Sequence, residues 1–246
     1  MASGWPEFIE SQLLLPETRG KRYLGLMLKK RVALGVKLGL PKGQAARLAR
    51  LTTPERVQDF IDAIPVNFEV GGDTCLSVAE ALRQRRAHCI ESAFIAACAF
   101  WINGRPPLLM DLQAKDDTDH VVAVFRHGKC WGAISKSNHV WLRWRDPIYR
   151  SLRELAMSYF HEYATGPRKT LATYSIAFDL RRLKPEQWIS NKEQCWDVAN
   201  ILDATRHYKL ITHAQRKRLR PRDKMEMKAN DILVKKAPNR RAHLEY

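Results

Sequence analysis

The stretch IESAFIAACAFWI, residues 90–102, constrains this chain more than any other. Small and apolar side chains lie nearly all round the helix it predicts, so that helix must be packed on most of its sides. Asn103-Gly104 supplies its C-terminal stop. The partners that bury it follow at once. PPLLMDL (106–112) reads as a strand and AKDDTD (114–119) as a polar loop. HVVAVFR (120–126) is apolar enough for a central strand, HGK (127–129) is a hairpin turn, and CWGAIS (130–135) is the returning strand. A buried helix beside an antiparallel hairpin makes the expected fold class α+β.

The flanks are helical. Residues 1–50 are basic, with apolar residues over 23–40 ended by Pro41. TPERVQDFIDAI (53–64) has a Thr cap, then Val57, Phe60, Ile61 and Ile64 at helical spacing, and Pro65 stops it. SVAE (77–80) has the form of a capping box opening a short helix that runs to about Arg85. Asp146-Pro147 reads as a cap and first position of another helix. Its residues Leu152, Leu155, Tyr159 and Tyr163 share a face, and Gly166-Pro167 end it. With 246 residues, 45% of them hydrophobic, the chain fits one large domain with extensions. The expected division is a basic helical extension (1–52), a central domain (53–190), and a helix with a basic tail (191–246).

Net charge is +16 and uneven: residues 205–246 hold 13 Lys/Arg against 4 Asp/Glu. RKRLRPRDK (216–224) is the densest part. The expectation is a solvated tail, with a polyanion or an acidic protein as the partner it would attract. No apolar run reaches ~18 residues, so no transmembrane segment is expected. The N-terminus lacks a signal-peptide layout, and a cytoplasmic location is expected. Five scattered cysteines, none in a C-x-x-C pair, argue against a disulfide framework and a zinc ribbon.

Cys89 falls at the start of the buried helix, after Arg83, Arg85 and Arg86. A thiol there meets unpaired backbone N–H groups and the positive end of the helix dipole, both of which favour thiolate. His120, opening a neighbouring strand, can face that sulfur and take its proton. The backbone N–H of Cys89 is a natural oxyanion donor, and Gln84, five residues upstream, is a second candidate. Cys75, Cys98 and Cys130 read as structural, and Cys195 as part of a helix face. His88, His120, His127 and Cys130 match no common zinc spacing, and DDTD lacks the EF-hand spacing. No metal and no cofactor are expected.

SVAEALRQRRAHCIESAFIAACAFWINGRPPLLMDL resembles the core of the transglutaminase-like superfamily, which shares the papain-like cysteine fold. The resemblance covers about residues 55–165. It rests on the Ser-x-x-Glu helix, the basic segment, the Cys with an acid two residues on, the small-residue helix, and the strands beginning with His and bearing Trp. It implies a papain-like core, a nucleophile helix on a small antiparallel sheet, Cys89 as nucleophile and His120 as base. The implied activity is cysteine acyl transfer on a peptide or protein amide. Ala87 stands where the family usually has Gly. Four residues after Trp131, where the family has Asp, this chain has Ser135. A serine accepts a hydrogen bond from the imidazole but brings no charge. Asn138 is the nearest amide able to orient the ring, and Asp146 is explained by helix capping.

Two other readings stand beside the enzyme. One is a catalytically weak domain of the same fold acting as a binding module. The other is a nucleic-acid-associated protein, suggested by NHVWLRWRDP (138–147) but unsupported by any RNP, helix-turn-helix or KH signature.

Overall fold

The computed structural model describes residues 17–235, with side chains from residue 23 onward. The long basic helix α1 (Glu17–Lys37) and α2 (Lys42–Leu48) are separated at Gly39–Pro41. α3 (Pro54–Asp62) is capped by Thr53, whose hydroxyl accepts the Arg56 N–H. α4 (Val78–Gln84) is capped by Ser77, but Glu80 does not close a box. It pairs with Arg83 instead, and the Ser77 hydroxyl donates to the Asn191 carbonyl.

α5 (Cys89–Ile102) is the central helix. Twelve of its fourteen residues are buried, which is why its sequence shows no polar face. Each Phe or Ile buried there contributes about 1.5–3 kcal/mol of transfer free energy.

α5 packs on β1 (Leu108–Ala114), β2 (His120–His127) and β3 (Cys130–Ile134), joined by β4 (Arg145–Tyr149), β7 (Leu171–Ser175) and β9 (His207–Lys209). The sheet order is β4-β3-β2-β1-β7-β9, with β8 (Phe178–Asp179) also against β1, and every strand pair is antiparallel. A separate small hairpin joins β5 (Ala164–Thr165) to β6 (Arg168–Lys169).

The sheet is covered on both faces. Leu109, Val121, Ala123, Phe125 and Ile134 meet α5. The alternate residues Met110, Leu112, Val122, Val124 and Ala133 meet Leu155, Tyr159 and Tyr163 from α6 (Leu152–Met157) and the turns after it. The fold class is therefore α+β.

The segment after Trp144 departs from expectation. Asp146-Pro147 lie within β4 and do not start a helix. β4 is an edge strand, where a proline's missing N–H leaves no ladder bond unmade. Gly132 permits the pairing, because a Cβ there would meet Phe125 Cζ at 2.6 Å and the Arg145 carbonyl at 2.8 Å. The helix begins only at Leu152, capped by Ser151, and runs six residues.

The basic C-terminus is folded as far as it is described. β9 extends the sheet, Leu210 joins the second core, and α9 (His213–Lys217) and α10 (Lys224–Asn230) follow. The chain then returns to β3's end, where the Val234 N–H donates to the Asn138 carbonyl. The tail expectation therefore fails over 205–235; residues 236–246 lie outside the described part. The boundaries at 52 and 190 do not separate packed bodies, since Leu38, Leu48, Val198 and Leu202 share one core with α5. α7 (Pro185–Trp188) and α8 (Trp196–Asp203) close that core, with Trp188 fully buried.

Candidate active site

Cys89 is the first residue of α5 and lies half-buried in the lining of a cleft of about 590 Å³. His120, the first residue of β2, lines the same cleft. Antiparallel pairing of β2 with β3 brings His120 to Ser135, just past the end of β3, with Nε2 to Oγ at 2.6 Å. The Ser135 hydroxyl donates to the Leu142 carbonyl at 2.5 Å, so its lone pair receives the Nε2–H of His120. That assignment leaves Nδ1 of His120 for the thiol. Leu142 itself is held at φ 59°, a left-handed conformation that is costly for a leucine. Gln58 fixes Ser135 from behind, accepting its N–H at 3.1 Å and donating to its carbonyl at 2.9 Å.

A second imidazole flanks the sulfur. His88, the residue before the helix, has Nδ1 3.8 Å from Cys89 Sγ. Its Nε2 donates to the Thr74 carbonyl at 2.8 Å, with Glu69 at 3.4 Å and Glu91 at 3.5 Å. Burial disfavours the charged ring, but the hydrogen bond and charge of Cys89, with the two glutamates, push its pKa up to about 10. Glu91 is fully buried and fully engaged. It accepts the backbone N–H groups of Leu76 and His88, both at 3.0 Å, the Thr74 hydroxyl at 2.8 Å, and the Asn67 amide at 3.1 Å.

The consequence at Cys89 is a thiol unlike those of Cys75, Cys98 and Cys195. Burial pushes the thiols of Cys75, Cys98 and Cys195 up. At Cys89 burial acts in the same direction, but hydrogen bonds and charge from His120 and His88 more than offset it. The thiol is held well below its ordinary range, and the site is poised as thiolate and imidazolium.

Cys89, His120 and Ser135 therefore come together as the spacing suggested, whereas the two amides do not. Asn138 is buried, and its side chain brackets Lys235, donating to the carbonyl at 3.0 Å and accepting the N–H at 3.1 Å. It holds the C-terminal segment, not His120. Gln84 does not line the cleft; it bonds Glu80 and accepts from Arg86. Gln84 is the last residue of α4, the left-handed Arg85 ends that helix, and the non-helical segment 86–88 lies between it and the thiol, so the oxyanion role assigned on sequence distance fails. Asp146 accepts the Trp144 indole N–H. The Cys89 backbone N–H is one of the donors of the helix start and has no partner among the described residues. Trp141 also lines the cleft, and its buried indole N–H has no partner among the described residues.

Sequence reasoning missed His88 as an electrostatic partner, and Glu69, Thr74 and Asn67 as its supports. The adjacent His-Cys pair with Glu91 three residues after His88 was the available signal. Nothing local announces that the 67–74 loop returns to it.

A further cluster lies beside the cleft. Asp111, Asp119 and Asp203 have carboxylate oxygens within 4.8 Å of one another and could hold a cation. Burial, then repulsion from the other two, pushes Asp111 up to about 8, and its Oδ2 lies 3.1 Å from His207 Nε2.

No protein-family model matches the chain, and no curated protein matches it in sequence. The class defined by fold and site is thus an α+β protein with a cysteine-histidine cleft.

Proposed function

We propose that the chain is a transglutaminase-like cysteine acyl-transfer enzyme acting on an amide bond. The observation that carries this reading is the placement of the Cys89 thiol between two imidazoles at a helix N-terminus, one of them held by Ser135. The thiolate attacks the amide carbonyl carbon, and the oxyanion is met by the Cys89 N–H and, as a candidate, the Trp141 indole. His120 gives its proton to the leaving amine nitrogen as the C–N bond breaks. A thioester remains on Cys89. Water or an amine then attacks it, His120 takes the attacker's proton, and the thiolate departs.

The test is the pH profile of Cys89 alkylation by iodoacetamide, located by mass spectrometry. The expected midpoint lies well below that of a free thiol, ~8.5, and His120→Ala and His88→Gln should each raise it. A midpoint at the free-thiol value would end the proposal.

A binding module of the same fold is favoured by one fact: Ser135, where the resemblance implies an acid, supplies no charge to His120. Turnover of a peptide-amide library that is lost in Cys89→Ala separates the two readings. A polyanion partner is a further proposal for the outer surface, where Lys217, Arg218, Arg220, Lys224 and Lys228 are exposed.

A further inference from the structure

The Cys89 cleft carries a charge opposite to that of the molecule. Among the described residues its lining includes six carboxylates (Glu69, Asp73, Asp117, Asp119, Glu162 and Asp231) and a single Lys/Arg side chain, Lys136. The chain overall has 42 Lys/Arg against 26 Asp/Glu, so random sampling of its surface would give the reverse balance. Lys136 gives its ammonium to backbone carbonyls and pairs with no described carboxylate of the wall. It donates to the Ile61 and Ile64 carbonyls at 3.0 and 2.7 Å, and burial pushes its pKa down to about 8.

Two of the six acids have cationic neighbours, Glu162 with Arg145 and Glu69 with His88. Asp73, Asp117, Asp119 and Asp231 form no ion pair with any described residue. Asp73 and Asp231 are exposed. Trp196, 41% exposed, adds an aromatic face to the same wall.

We propose that the cleft selects an amide flanked by cationic side chains, a lysine- or arginine-bearing peptide segment. This rests on the reading of Cys89 as nucleophile and names the substrate class of that site. Carboxylates pair with ammonium and guanidinium groups, and an exposed indole attracts the same cations. The net charge of +16 does not prevent it. At physiological ionic strength charges beyond ~8 Å are largely screened, so a bound peptide feels the cleft wall and not the remote basic surface. Carboxylates in a concave wall also act together, since a cleft focuses the field of its lining. The outer surface would attract polyanions, and the cleft cations.

Three methanethiosulfonate reagents of one reactive group test this. They carry a trimethylammonioethyl, a sulfonatoethyl or a methyl tail. Each forms a mixed disulfide with the thiolate and releases methanesulfinate. The readout is the rate at Cys89, by mass spectrometry, against an unstructured cysteine peptide. The cationic-over-anionic rate ratio is expected to exceed the peptide's by about tenfold or more. It should shrink with added salt and in the Asp73→Asn, Asp231→Asn double variant. Rapid reaction with the neutral reagent but no cationic preference would overturn the substrate class and leave the nucleophile standing. Slow reaction with the neutral reagent would overturn the nucleophile instead.

A second arm does not need a reactive thiol. A tetralysine amide is titrated calorimetrically into the full chain and into the double variant. Equal affinity for both, or none for the full chain, would overturn the inference. Binding weakened about tenfold in the variant supports it.

Discussion

At the scale of single residues, the His88–Cys89 pair makes a definite statement about pH. His88 is pushed up to about 10 and Cys89 held well below its ordinary range, so from neutral pH up to about 9, where an ordinary thiol titrates, the folded pair is imidazolium and thiolate. The unfolded pair is neutral imidazole and thiol. Each state binds one proton, so the pair's contribution to stability is flat across that window. Below about 6.5 the unfolded chain gains a proton on histidine, and the contribution falls as pH drops toward the depressed Cys89 value. Above about 9 the unfolded thiol ionises while folded His88 keeps its proton until about 10, and the contribution falls as pH rises. Urea unfolding of the wild type and of a His88→Gln, Cys89→Ala double variant across pH measures the difference. It is expected to be flat from neutral pH to about 9 and to shrink on both sides. A difference growing steadily through that window would mean that folded His88 is neutral.

Ser135→Asp is the other residue-scale case. A carboxylate would favour the His120 imidazolium and move the Cys89 alkylation profile to lower pH. It would also face the Leu142 carbonyl, to which Ser135 now donates at 2.5 Å, with no proton to give. The expected outcome is a more ionised thiol in a protein less stable by about 1–3 kcal/mol, read by alkylation and urea unfolding together. A serine at this position thus answers to two neighbours, and a direct carboxylate replacement satisfies only one.

At the scale of elements, the short loop after β3 ties the C-terminal segment to the sheet. Asn138 holds Val234 and Lys235 by three hydrogen bonds, one from its backbone and two from its side chain. Asn138→Ala is expected to speed amide exchange at Lys235 and to cost about 1 kcal/mol. The Cys89 alkylation profile should stay where it is, because Asn138 makes no hydrogen bond to His120. A shifted profile with unchanged exchange would restore the ring-orienting role read from its position. The fate of 145–149 belongs to this scale too. Asp-Pro is a good helix start on local grounds, yet β3 offers an open edge, and Trp131↔Tyr149 and Ala133↔Arg145 pair across it.

For the whole molecule, the basic C-terminal segment is structural and charged at once. Truncation after residue 204 removes β9 from the sheet edge and Leu210 from the second core. The truncated protein is expected to lose several degrees of thermal midpoint or to fail to fold, as circular dichroism would show. An unchanged midpoint would mean that the segment only lies on the surface. Heparin retention of the full chain should fall steeply with salt, because counterion release drives contact between lysine or arginine and a polyanion. Salt-insensitive retention would remove the polyanion surface.

The elements legible in the sequence are those set by neighbours in the chain. A helix apolar all round, a Thr cap, a hairpin turn and apolar strand runs are local patterns, and α5, α3 and β1–β3 follow them within two residues. Cys89 at a helix start and His120 at a strand start are local facts too, and their meeting follows from packing that helix on that strand. The rest depended on contacts far apart in sequence. Glu69 and Thr74 reach His88 across a loop, Lys235 occupies the amide of Asn138, and β9 finds β7. Each is decided by which hydrogen-bonding group is left open in three dimensions. The acid-lined cleft has the same origin: its carboxylates come from segments spread between residues 69 and 231, and only folding places them round one thiol.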